Sequence, residues 1–183
     1  NNVLFNNTAA ANSITFSGKV AVYGDMTINC PEFTDGGREI VGAGTGKTLS
    51  MLAGRSYTAT YTGAKAIPDF DTYNVYGING NTTMRFNAAI TAAQTIPAAE
   101  YGAVAINNGG MNAKSLAGNT TIRGLLNVAS GGLSIGNNTL TCFQGITNNA
   151  VTATQASITT GASGKILLAG GIAAHPISSS ATG

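Results

Sequence analysis

The stretch "GLLNVASGGLSIGNNTLTCFQGIT", residues 124–147, alternates apolar and polar residues in three short bursts: Leu126/Val128, Leu133/Ile135 and Leu140/Cys142. A period of two marks strands with one buried face. Between the bursts stand Ser130-Gly131-Gly132 and Gly136-Asn137-Asn138, residue types that tolerate positive φ and end a strand after a few residues. Three such strands turn their apolar sides toward a shared axis, with Gly132 and Gly136 at the corners. One coil alone buries too little; a stack of coils, hydrogen-bonded strand on strand, buries a continuous apolar column.

The same grammar runs outward through the chain. Apolar residues alternate at Ile14/Phe16, Val20/Val22, Met26/Ile28, Leu49/Met51, Met84/Phe86, Val104/Ile106 and Ile166/Leu168. "GNTTMR" at 80–85 returns as "GNTTIR" at 118–123, and "GNNTLT" follows at 136–141, so the leading glycines are 38 and then 18 residues apart, close to two coils and one. The prediction is an all-β, parallel β-solenoid (β-helix) with coils of about 18–20 residues. Residues 1–60 repeat less regularly and read as a sandwich-like N-terminal portion, of which 1–40 is a strand-rich segment and candidate edge or assembly region. Residues 41–170 carry the solenoid repeats, and 171–183 read as a polar tail or linker. Helical periodicity is scarce. "MRFNAAITAAQTIPAAEYGA" (84–103) has alanines enough for a helical turn or two, but Pro97 crosses it and threonines stud it.

Composition narrows the function. Only 9% of the 183 residues are charged and the net charge is +2 without a basic run, which argues against nucleic acid as a partner. Asn, Thr, Ser and Gly carry the polar load. Stacked coils would lay Asn on Asn and Thr on Thr, satisfying polar groups without charge. No apolar run reaches the ~18 residues of a membrane-spanning helix, so membrane insertion is not expected. The sequence begins without Met, as a processed chain or an excerpt would. Cys30 and Cys142 are a candidate disulfide in an oxidising compartment, with buried apolar Cys142 as the simpler reading. Asn6, Asn81, Asn119 and Asn137 head Asn-x-Ser/Thr triplets, which a chain rich in Asn and Thr produces by chance.

"GAGTGKTLS" (42–50) looks like a phosphate-binding loop. The Walker pattern places a glycine five residues before Gly46, and Val41 stands there. "GKILLAG" at 164–170 repeats the Gly-Lys-x-Leu start, so Gly42, Gly44 and Gly46 read as corner residues and no cofactor is expected.

The succession "GKTLSMLAGRSYTATYTG", "IPDFDTYNVYG", "NGNTTMRFNAAITAAQTIPAAEYGAVAINNGG" and "KSLAGNTTIRGLLNVASGGLSIGNNTLT" resembles the β-solenoid repeats of very large secreted and cell-surface proteins of the Bacteroidota. The likeness covers roughly residues 40–145 and rests on pattern, without a catalytic signature. It implies an exported adhesin, surface fibre or passive stalk.

Residues with chemistry to offer are few. His175, the sole histidine, precedes Pro176 in the tail. Asp69 and Asp71 in "PDFDTYN" are a candidate calcium contact, although Tyr73 and Asn74 replace the Asp/Asn and Gly that an EF-type loop needs next. Glu32/Asp35 and Asp69/Asp71 are the only close acid pairs that a glycan-cleaving β-helix would use. Tyr57, Tyr61, Tyr73 and Tyr76 are candidate sugar contacts, since ring faces stack on carbohydrate, with cross-strand packing as the plainer reading. The expectation is therefore a non-catalytic, extracellular structural or adhesive protein, a fibre subunit or a segment of a long surface protein, with no metal. It would assemble with copies of itself through exposed strand edges, and surface glycans are candidate partners. The alternatives are a carbohydrate-binding module on a β-solenoid and a polysaccharide-cleaving β-helix.

Overall fold

The computed structural model describes residues 1–7, 13–42, 45–77, 81–89, 92–108, 113–149, 158–170 and 176–179. The chain winds as a parallel β-solenoid. The first rung holds β1 (Val3–Asn6), β2 (Ser13–Thr15) and β3 (Val20–Val22), and the second β4 (Met26–Asn29), β5 (Glu32–Thr34) and β6 (Ile40–Gly42). The third rung has two strands, β7 (Thr48–Met51) and β8 (Ser56–Ala59). There follow β9 (Thr72–Val75), β10 (Thr83–Phe86) and β11 (Gln94–Ile96), then β12 (Glu100–Tyr101), β13 (Ala103–Asn107) and β14 (Ala113–Leu116). The sixth rung holds β15 (Thr120–Ile122), β16 (Leu125–Ser130) and β17 (Gly132–Gly136). The seventh holds β18 (Thr139–Cys142), β19 (Gly145–Asn148) and β20 (Ile158–Thr160), and β21 (Lys165–Leu168) and β22 (Ile177–Ser179) follow.

Two eight-stranded parallel sheets run the length of the molecule, β1-β4-β7-β9-β12-β15-β18-β21 on the first face and β2-β5-β8-β10-β13-β16-β19-β22 on the second. The third face is split into β3-β6 and β11-β14-β17-β20. Residues 1–60, read as sandwich-like from the sequence, supply β1, β4 and β7 to the first long ladder and β2, β5 and β8 to the second, while among the described residues β3 pairs only with β6. Ile177–Ser179, expected in a tail, pairs with β19.

Alternation puts one apolar side chain in two on the axis, and the core is one continuous cluster that includes Met26, Ile28, Leu49, Met84, Phe86, Leu126, Leu133, Ile135 and Leu140. Aromatic rings fill the early rungs. Phe33 lies 5.1 Å from Phe5 and 5.0 Å from Tyr57 between ring centroids. The alanine-rich stretch 84–103 forms strands in β10, β11 and β12, and no helix occurs among the described residues, hence none long and apolar enough to cross a membrane. Ladder pairing and burial of Met84, Phe86 and Ile96 override the alanine propensity.

Rungs are longer than the repeats imply. Ala113 pairs with Gly132, Met26 with Leu49, Ser56 with Thr83 and Ile146 with Ile177, so the offset runs from 19 to 31 residues, the variation lying in the corners. "GNTTIR" and "GNNTLT" do stack, with Thr121 opposite Thr141 on the first face. "GNTTMR" does not join them: Met84 sits on the second face, opposite Tyr57 and Val104. A strand with one residue in and one out suits any face, so the hexapeptide repeat does not report position around the coil.

Asparagine side chains do link rungs. Asn29 Nδ2 donates to Asn6 Oδ1 at 2.8 Å and Asn149 Nδ2 to Asn127 Oδ1 at 3.3 Å. Asn81, Asn119 and Asn137 accept backbone N–H bonds from Gly54, Thr139 and Ser163, at 2.7, 2.8 and 3.3 Å. All four triplet asparagines are therefore inter-rung staples.

Candidate functional site

The third face breaks where residues 60–71 cross it without forming a strand. The segment slants. Its first half pairs with the rung after it, through a bridge between Lys65 and Thr95, while its second half pairs with the rung before it, through a bridge between Val41 and Asp69. Gly42 makes the second approach feasible: its N–H donates to the Asp69 carbonyl at 3.1 Å, and a Cβ there would lie 2.7 Å from that oxygen. A cleft opens on each side of the slanted segment. The one toward the first rungs, about 320 Å³, has a floor of Asp35, Ile40, Tyr57, Ala66 and Ile67 and a rim of Arg38, Glu39, Tyr61, Lys65 and Asp69. The other, about 230 Å³, lies between Asp69–Tyr73 and the Thr95–Ala98 corner.

Two buried polar groups hold this arrangement. Asp35, 1% exposed, sits in the turn after β5 and binds the start of the segment. Its carboxylate accepts from the Gly37 and Thr60 N–H groups at 2.9 Å, from the Thr60 hydroxyl at 2.5 Å and from the Tyr61 N–H at 3.2 Å. Gln94 on β11 clamps the other end. Its Nε2 donates to the carbonyls of Tyr61 and Gly63 at 2.8 Å and of Lys65 at 3.3 Å, while its Oε1 accepts from Lys114 Nζ at 2.5 Å. Lys114, stacked under Gln94 in the register of β11 and β14, is fully buried. Desolvation lowers its pKa to about 8.

Of the four tyrosines expected to form a sugar-binding strip, the structure brings only Tyr61 to an open surface of the cleft. Tyr57 is 0% exposed, and burial, with the nearby Asp35 carboxylate, raises its pKa well above the usual phenol range. Its ring packs edge-on to Phe33, because Tyr57 falls on the inward phase of β8. Tyr73 is a staple: its hydroxyl accepts from the Phe70 N–H at 3.0 Å and donates to the Pro68 carbonyl at 2.9 Å. Tyr76 stands apart, 5.8 Å from the Arg123 guanidinium.

The acid pairs are engaged. Asp69 forms an ion pair with Lys65, and Asp71 accepts the Lys47 N–H at 3.1 Å. No group of three or more His, Cys, Asp or Glu that could hold a metal ion occurs among the described residues. Glu32 is exposed beside Arg85, while Asp35 faces inward on the other phase. Cys30 and Cys142 are both buried free thiols. The disulfide reading fails on distance: Cys30 follows β4 and Cys142 ends β18, five strand spacings along the first face, about 24 Å, where a bridge needs Cα atoms within about 7 Å. Burial lifts the Cys142 thiol to about 11.

Gly46 and Gly136 turn corners at φ of 71° and 62°. Gly132 begins β17, the positive φ there belonging to Gly131, and Gly42 serves close approach instead of a turn. Gly44 and His175 lie outside the described residues. Sequence reading missed Arg38, Gln94 and Lys114. Gln94/Ile96 and Lys114/Leu116 alternate like any strand, but only the register shows that the two polar residues fall on the same inward column.

No family model, curated protein or solved structure matches this chain.

Proposed function

We propose that this chain is a non-catalytic structural unit of an extracellular or cell-surface fibre, a subunit or a segment of a longer surface protein, that joins end to end with another copy of itself. The observation that carries this reading is where apolar side chains stand exposed. Among the described residues, six of the eight large ones lie on the terminal rungs: Leu4 and Tyr23 at one end, Ile166, Leu167, Leu168 and Ile177 at the other. Ile166, Leu168 and Ile177 continue the inward columns of Leu140, Cys142 and Ile146, which the next strand covers almost completely. At the other end Val3, Phe5 and Ile14 begin those columns, opposite Met26, Ile28 and Phe33. A second copy seated with β1 on β21 would set Val3 on Ile166 and Phe5 on Leu168, with Leu4 beside Leu167. The contact is head to tail, so it repeats without closing. Low charge and the resemblance to secreted repeat proteins support an extracellular setting.

Light scattering across protein concentration tests this. The expected result is concentration-dependent growth, abolished by Leu167→Lys together with Ile177→Lys. A chain that stays monomeric at every concentration would sink the reading. A second reading, carbohydrate binding, is favoured by one observation: the open cleft beside Tyr61.

A further inference from the structure

We infer that the cleft between β6 and the slanted segment 60–71 binds a carboxylated sugar, a uronic acid or a sugar chain ending in one. The inference rests on the carbohydrate reading and is independent of end-to-end assembly. It follows from which charges around the cleft are already satisfied. Asp35 on the floor is saturated by the donors of Gly37, Thr60 and Tyr61. Glu39 pairs with Lys19 at 2.6 Å, and Asp69 pairs with Lys65. Among the described residues of the lining, Arg38 is the one charged side chain with neither an ion pair nor a side-chain hydrogen bond, and it is exposed.

The unspent valence is one planar cation, whose fork matches the two oxygens of a carboxylate. Carboxylates already in the cleft are held in place by their partners and leave that fork open. The remaining surface suits a sugar ring. Val41 and Ala64 present apolar surface to C–H groups above the Ile40 floor, while Tyr61 supplies a half-buried ring and hydroxyl. At about 320 Å³ the cleft is at the small end of ligand pockets, a size for one or two sugar rings.

The test is calorimetric titration of the full chain with D-glucuronate and, separately, with D-glucose, with amide shifts followed by NMR. Glucuronate is expected to bind about tenfold more tightly than glucose or better, with shifts at Tyr61 and Lys65. Arg38→Ala is expected to erase that difference, and Arg38→Lys, which keeps the charge without the fork, to recover only part of it. Arg38 is exposed, so neither substitution threatens folding, and light scattering of the variants should match the parent. Equal binding of the two sugars, or an unchanged preference in Arg38→Ala, would overturn the acidic specificity while leaving carbohydrate binding standing. Binding of neither sugar would overturn both.

Discussion

Lys114 is buried, and among the described residues its amine has no carboxylate beside it and rests on Gln94 Oε1 alone. Desolvation holds its pKa at about 8 against 10.5 in the unfolded chain. Below pH 8 both states are protonated and the native state bears the full penalty of a buried cation, about 3 kcal/mol for a shift of this size. Between pH 8 and 10.5 the unfolded chain holds more protons than the native one, so this residue's contribution to stability rises with pH. Buried Tyr57 and Cys142, raised in the native state, act in the opposite sense at the alkaline end. The readout is therefore the difference between the parent and Lys114→Met in urea unfolding. It should shift in the parent's favour by up to about 3 kcal/mol from pH 7.5 to 10.5. A flat difference would show that the amine is hydrated. For the thiols, reductant should leave the thermal midpoint unchanged, since Cys30 and Cys142 are unlinked.

The slanted segment is a short element without a ladder of its own, so side chains must hold it. Gln94 gives it three carbonyl contacts and Asp35 anchors its start. Replacing Gln94 with Leu leaves those carbonyls without a donor, each a loss of about 1 kcal/mol or more. Hydrogen exchange should then accelerate at the Ala66 and Thr95 amides, which bond to Thr95 and Ala64 across the gap, while the amides of β13 and β16 stay protected. Uniform acceleration everywhere would mean that the segment is part of a single cooperative unit. Gly42→Ala tests the other end, since a methyl group at 2.7 Å from the Asp69 carbonyl forces the segment away from β6.

At the scale of the molecule, stability is expected to be a sum over rungs and their interfaces. A residue in a central rung is covered on both sides, and one at the end is not. Leu140 is 0% exposed and Ile166, its successor in the same column, 39%. Leu140→Ala should cost about 2–5 kcal/mol in chemical denaturation. Ile166→Ala should cost under about 1 kcal/mol in dilute chain and more where copies stack. Equal costs at low concentration would argue that the end rung is covered.

Alternating pairs such as Leu133/Ile135 and Leu140/Cys142, with glycine and asparagine at the corners, were enough to establish strands, their inward phase, and stacking, because side-chain period and φ tolerance are local properties of the chain. Asparagine stapling was legible for the same reason. The face on which each strand lies was not: "GNTTMR" and "GNTTIR" share five of six residues yet occupy different sheets, since the choice depends on corner lengths summed around the coil. Tyr57 and Tyr61 show the same limit within one short segment, the first turned into the core and the second toward the cleft. Sequence alone determined that this chain coils and stacks. Tertiary structure alone decided where the third face breaks and which charge is left open there, because both follow from register between rungs some twenty residues apart.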